Sequence, residues 1–169
     1  MISNRVELTS EQIAALKKLS SEVSINETVL AQHGRDESAF PPVNPGAVVK
    51  VNSTEEVSKV LKYCNENKIP VVAFGAGSSL EGHVLPIYGG ISLDLNNLNK
   101  ILEISPDDLT CTVECGVHRM ELNEKLAKDG LFFSVDPGAD ATIGGMASTG
   151  AAGTTTVRYG SMKENVLAL

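Results

Sequence analysis

Apolar residues in the first part of the chain recur at helical spacing. Ile13, Leu16, Leu19 and Val23 lie three or four positions apart, behind a capping-box pattern of Thr9 and Gln12. This predicts an amphipathic helix over about 10–23. Residues 33–46 carry Pro41, Pro42 and Pro45 and predict an irregular connection. The period then changes. Residues 47–51 form a short apolar strand, and Ser53 with Glu56 forms a second capping box. The helix it opens turns Val57, Val60, Leu61 and Cys64 inward, and the β-rich run 69–74 suits a buried parallel strand.

Further along, 91–95 predicts another strand, and 110–114 alternates as a strand should before ending at Gly116. Residues 119–129 predict a helix with Leu122 and Leu126 inward, and 131–135 a following strand. Residues 137–160 are dense in Gly, Ala, Ser and Thr, with too few large apolar side chains for a core of their own. Their small residues must lie against something else.

Composition narrows the partners. The 169 residues suffice for one compact domain with a core. No apolar run is long enough for a bilayer, and residues 1–11 lack the basic and apolar regions of a secretory signal. A net charge of −7 argues against nucleic acid or an anionic membrane as partner. Cys64, Cys111 and Cys115 do not form a disulfide framework and point to the cytoplasm or another reducing compartment, peripheral membrane association remaining open. His33, His83 and His118 show no ligand spacing, so no metal is expected.

Two glycine-rich segments carry the candidate chemistry. Gly75-Ala-Gly-Ser-Ser-Leu-Glu-Gly82 follows a predicted parallel strand, where α/β folds bind ligands. Its unobstructed backbone N–H groups and the Ser78 and Ser79 hydroxyls suit a pyrophosphate; a tight structural turn is the alternative. It matches neither a Walker A loop nor a dinucleotide fingerprint. Thr142-Ile-Gly-Gly-Met-Ala-Ser-Thr-Gly-Ala-Ala-Gly153 predicts a helix opening near Thr142 whose free N–H groups face an anion. Close backbone packing is the alternative for this segment. Two such segments separated by strands favour a large cofactor over a single phosphate.

The order of these motifs resembles a known family. Val71 to Gly82, Asp136-Pro-Gly-Ala-Asp140 running on to Thr154, and Val157-Arg-Tyr-Gly-Ser-Met-Lys-Glu-Asn-Val166 are similar to FAD-linked oxidases of the vanillyl-alcohol oxidase and p-cresol methylhydroxylase type. Within that family the likeness is greatest to cytochrome-linked D-lactate dehydrogenases, then to the glycolate oxidase FAD subunit. The resemblance implies an α+β fold, with a small parallel βαβ subdomain and a mostly antiparallel sheet subdomain. It implies an FAD-binding domain over 41–169, incomplete and without a cap, after a helical extension over 1–40. Gly75, Ala76, Gly77, Ser78, Ser79, Leu80 and Gly82 are expected to cradle the FAD pyrophosphate. Pro137, Gly138, Ile143, Gly144, Gly145, Ser148, Thr149 and Gly153 are expected to line the flavin, ribityl and phosphate path. Tyr159 and Gly160 would support the second loop, and Val166 would lie towards the adenine. Ser79 stands where some relatives attach FAD through histidine, so non-covalent FAD is implied, His83 being a loop residue. Met146 and Gly150 stand where related branches often have Asn.

The implied chemistry is oxidation of a 2-hydroxy acid, most simply D-lactate to pyruvate, with electrons passed to an acceptor such as cytochrome c. The alternatives are a glycolate oxidase-like enzyme and a non-catalytic remnant acting as a fold or interaction module. The family's substrate-binding and base residues lie in a C-terminal cap with no counterpart here, so no catalytic residue is expected. The isolated chain is expected to bind FAD weakly or not at all and to turn over nothing. Residues 165–169 read as the start of a strand. A sheet ending there would have an open edge, able to mediate a homo-oligomer.

Overall fold

The computed structural model describes residues 5–169. The chain forms two compact units, Met1–Asn97 and Leu98–Leu169.

In the first unit, helix α1 (Ser10–Leu19) starts with both halves of the Thr9–Gln12 capping box in place. It ends four residues earlier than the apolar spacing predicts. Val23 belongs instead to strand β1 (Glu22–Ser24), where it pairs with Val49 of β2 (Ala47–Lys50). The segment before residue 41 is therefore not purely helical. A short helix that the sequence did not reveal, α2 (Glu27–Gln32), is capped by the Asn26 side chain.

After β2 come α3 (Thr54–Glu66), β3 (Val71–Phe74) and β4 (Ile91–Asp94). Ser53 Oγ accepts from the Glu56 N–H, but the Glu56 carboxylate accepts from Asn52 rather than Ser53. The second capping box is thus shifted by one residue. The sheet order is β1-β2-β4-β3, with β4 parallel to both neighbours and β1 antiparallel at the edge. Flanked on both sides, β4 buries all four of its residues. Leu16, Val60 and Cys64 pack into the same core from the helices.

The second unit opens with an antiparallel pair, β5 (Ile101–Ser105) and β6 (Thr110–Val113). Helix α4 (Arg119–Leu126) runs into a 3-10 turn, and Val117, Leu122 and Leu126 form its core. Residues 131–135 do not form the expected strand. Their backbone groups are satisfied elsewhere: Leu131 N–H donates to Leu126 O, Phe133 N–H donates to Asn123 Oδ1, and Ser134 O accepts from the Thr155 hydroxyl. Three short helices follow, α5 (Ile143–Thr149), α6 (Thr156–Tyr159) and α7 (Met162–Asn165), around a core of Val135, Met146 and Met162. Residues 166–169 form no strand.

The fold is α+β, a small unit built on a mostly parallel sheet followed by a unit whose strands are antiparallel. No helix of the described residues is long and apolar enough to cross a membrane.

Candidate cofactor site

Residues 75–82 leave the C-terminal end of β3. Gly77 has φ +69°, and a Cβ there would meet Phe74 Cζ at 2.9 Å, so a side chain at this turn would be strained and would have to displace the Phe74 ring. The N–H groups of Ala76, Gly77, Ser78, Ser79 and Leu80 donate to no described residue, and neither does that of Gly82. A run of unused donors at the end of a parallel strand is what an anionic phosphate requires. The Ser79 hydroxyl is turned back on its own loop. It lies 2.9 Å from His83 Nδ1 and accepts from the N–H groups of Glu81 and His83. Beside the loop is a cavity of about 420 Å³ lined by Gln32, Arg35, Asp36, Glu37, Phe74, Ala76 and Gly77.

That lining comes partly from 33–38, which the sequence suggested was mere connection. Asp36 Oδ1 accepts from the Ser38 N–H and hydroxyl, a turn signature visible in Asp-x-Ser. Burial raises the pKa of Asp36, but Ser38, the Ser79 side chain and the Gly82 N–H outweigh it, leaving the carboxyl below its ordinary value. Behind the loop, His33 Nε2 lies 3.0 Å from Asp94 Oδ2, both side chains nearly inaccessible, with Lys50 Nζ 3.7 Å away. Burial pushes the Asp94 pKa up, whereas hydrogen bonds from His33 and Asn96 pull it further down, so the net shift is downward. Nothing in the spacing of His33 and Asp94 could have revealed this pair.

The second segment behaves differently. The N–H groups opening α5 are engaged: Ile143 donates to Val117 O, Gly144 to Cys115 O, both at 2.8 Å, and Gly145 to Thr142 Oγ1 at 3.3 Å. The expectation that this helix offers free N–H groups to an anion is therefore overturned, because neighbouring carbonyls and the Thr142 cap use them. What α5 presents to solvent is a face of Gly145, Ser148 and Thr149. The two hydroxyls donate back to Gly144 O and Gly145 O. Such a face offers small side chains and hydroxyl oxygens rather than charge.

Both acids of Asp136-Pro-Gly-Ala-Asp140 are held by the first turn of α4. Arg119 Nη2 lies 3.4 Å from Asp136 Oδ1, and Asp140 Oδ1 accepts from the Met120 N–H at 3.0 Å. Asp136 Oδ1 also accepts from the Gly138 N–H, fixing the turn through Pro137. Tyr159 stacks edge-on against Phe132, and its carbonyl accepts from Asn165. Gly160 caps α6. Val166 packs its side chain against the Val135–Met146–Met162 core.

All three cysteines are free thiols. Burial raises their pKa values, that of Cys64 to about 11. No group of His, Cys, Asp and Glu among the described residues has the makings of a metal site.

A parallel sheet ending in a glycine loop with spare amides, followed in sequence by a helix with a small-residue face, defines a nucleotide-cofactor protein. The chain belongs to the FAD binding domain family, which matches residues 45–169, and FAD is its cofactor. It is 46% identical over 147 residues to a probable mitochondrial D-lactate dehydrogenase of Danio rerio, covering 87% of this chain and 30% of that protein. With the mitochondrial D-lactate dehydrogenase [cytochrome] of Arabidopsis thaliana it shares 45% identity, over 81% of this chain and 24% of the relative. Identity to glycolate oxidase subunit GlcD of Bacillus subtilis is 35%, over 74% of the chain and 27% of that protein. The chain thus spans about a third or less of the length of these relatives. Among solved structures, an alkyldihydroxyacetonephosphate synthase shares the fold at TM-score 0.84 and 21% identity, over 99% of this chain and 33% of the other. p-Cresol methylhydroxylase matches at TM-score 0.66 and 26% identity, over 78% and 27%.

Proposed function

We propose that this chain is the FAD-binding portion of a flavin-dependent 2-hydroxy-acid dehydrogenase whose substrate is D-lactate and whose electron acceptor is a cytochrome c-like protein. The observation that carries the reading is the run of unpartnered N–H groups at residues 76–80. In this reading residues 75–80 and Gly82 hold the pyrophosphate without a covalent link. Pro137, Gly138, Ile143, Gly144, Gly145, Ser148, Thr149 and Gly153 form a contact surface for the flavin and its ribityl chain. Because the N–H groups opening α5 are already engaged, that surface works through small side chains and the Ser148 and Thr149 hydroxyl oxygens. Tyr159 and Gly160 brace it, and Val166 reaches the cofactor only through its backbone. FAD supplies the hydride acceptor when bound; the protein supplies position and electrostatics.

The names of the dehydrogenase relatives support D-lactate, and the GlcD relative keeps glycolate as the second reading. The assigned residues include neither substrate ligand nor base, so the 169 residues alone are expected to turn over nothing, and weak FAD binding is expected of them. Titration of the chain with FAD, followed by flavin fluorescence, is expected to give weak saturable quenching and no D-lactate-dependent dye reduction. A stoichiometrically yellow purified chain would overturn weak binding. In a polypeptide of the relatives' length carrying this chain, anaerobic D-lactate is expected to bleach the flavin. Bleaching by glycolate alone would favour the second reading, and bleaching by neither would overturn both.

A further inference from the structure

The first glycine loop is held at both ends by groups that lie outside it. At its start, Asn96 Nδ2 donates to Gly75 O at 2.9 Å and to Asp94 Oδ1 at 2.8 Å. Further along, the Glu37 N–H donates to Ser79 O at 3.0 Å, and the Phe40 ring lies against Gly82. The two holds share one foundation. Asp94 Oδ2 meets His33 Nε2, His33 Nδ1 donates to Val29 O at 2.9 Å, and the His33 ring lies 4.2 Å from that of Phe74. One carboxylate thus ties the end of β4 both to the loop's start and to residue 33.

Asp36 is the unfinished part of this arrangement. Its Oδ1 is satisfied by Ser38, but its Oδ2 is buried and makes no hydrogen bond. A buried carboxylate oxygen without a donor is unfavourable. The nearby Ser79 side chain and Gly82 N–H act on this carboxyl and are the donors within its neighbourhood. The Ser79 hydroxyl is directed at His83 instead, and the Gly82 N–H, close enough to lower the Asp36 pKa, makes no hydrogen bond of ordinary geometry among the described residues.

We propose that residues 33–38 are a clasp on the cofactor loop and that Asp36 is its positioning residue, closing the loop when Oδ2 takes a hydrogen bond from Ser79 or Gly82. The inference rests on the FAD reading of this loop. It assigns the Ser79 hydroxyl or the Gly82 N–H to Asp36, leaving the amides of 76–80 for the phosphates. In this proposal Asp36 acts through the loop rather than on the cofactor.

Asp36→Asn tests this, because it preserves the shape and the Ser38 contact but places an NH₂ opposite the Gly82 donor. Amide exchange of Glu37 reports the clasp without FAD, with β2 and β4 amides as reference. Asp36→Asn is expected to speed Glu37 exchange roughly tenfold or more, as loss of a charge-assisted hydrogen bond does, and to leave the strands unchanged. FAD Kd is expected to rise by a similar factor with little change in Tm. Ser79→Ala is expected to do the same, and the double variant no more than the larger single effect. Unchanged Glu37 exchange, or an equal rise throughout the first unit, would overturn the proposal. Faster Glu37 exchange in a chain that binds no FAD would uphold the clasp while counting against the cofactor reading.

Discussion

At the scale of single residues, Gly153 shows how a neighbour's backbone dictates a side chain. A Cβ there would lie 1.6 Å from Asp136 O and 2.1 Å from its carbonyl carbon. The conflict is steric and involves backbone, which cannot swing aside as a flexible side chain would. Gly153→Ala is expected to lower stability by about 1–3 kcal/mol in denaturant unfolding, as overpacking does elsewhere. An unchanged midpoint would mean that the Asp136–Pro137 turn yields freely. The sequence left two readings open for this segment, anion binding at a helix start or close backbone packing. At Gly144 and Gly153 packing accounts for the glycine, because the atoms that exclude a side chain belong to Cys115 and Asp136. Residues so distant along the chain could not be matched from composition.

Among the elements, α1 and α3 were legible because each combines a cap with a periodic apolar face. The boundary of α1 was not, since Val23 fits helical spacing as well as strand pairing, and only Val49 opposite it decides between them. α1 is also more than an appendage. Leu16 is fully buried. Leu16→Ala is expected to cost about 2–5 kcal/mol, the range for large-to-small changes in cores, read as a drop in thermal or denaturant stability. A loss below about 0.5 kcal/mol would show α1 to be dispensable to the first unit. The reverse case is 131–135, which has strand-like composition but no ladder partner, because Asn123 and Thr155 side chains take its backbone groups first.

For the chain as a whole, the buried Asp94 sets a pH dependence. Its folded pKa lies below the ordinary value of 3.8, so its stabilising contribution is complete above that value and is lost as pH falls through the folded value. His33 and Lys50 face it from the neighbouring elements. The unfolding midpoint is therefore expected to fall as pH drops below about 4, and Asp94→Asn to be less stable at neutral pH with a flatter acid limb. An acid limb unchanged in Asp94→Asn would place the titrating groups elsewhere. The sequence by itself determined the α+β class, the order of the main elements, the family and the two glycine segments. The element order and the glycine segments rest on local periodicity, capping and contiguous motifs, and the α+β class and the family on the resemblance those motifs carry, all of which a linear chain displays directly. Tertiary structure alone decided that the first loop keeps its N–H groups free while α5 uses its own, and that Asp36, His33, Asp94 and Asn96 surround the first loop. Those outcomes depend on which carbonyls and carboxylates from distant parts of the chain arrive beside each donor, and no local pattern encodes that arrival.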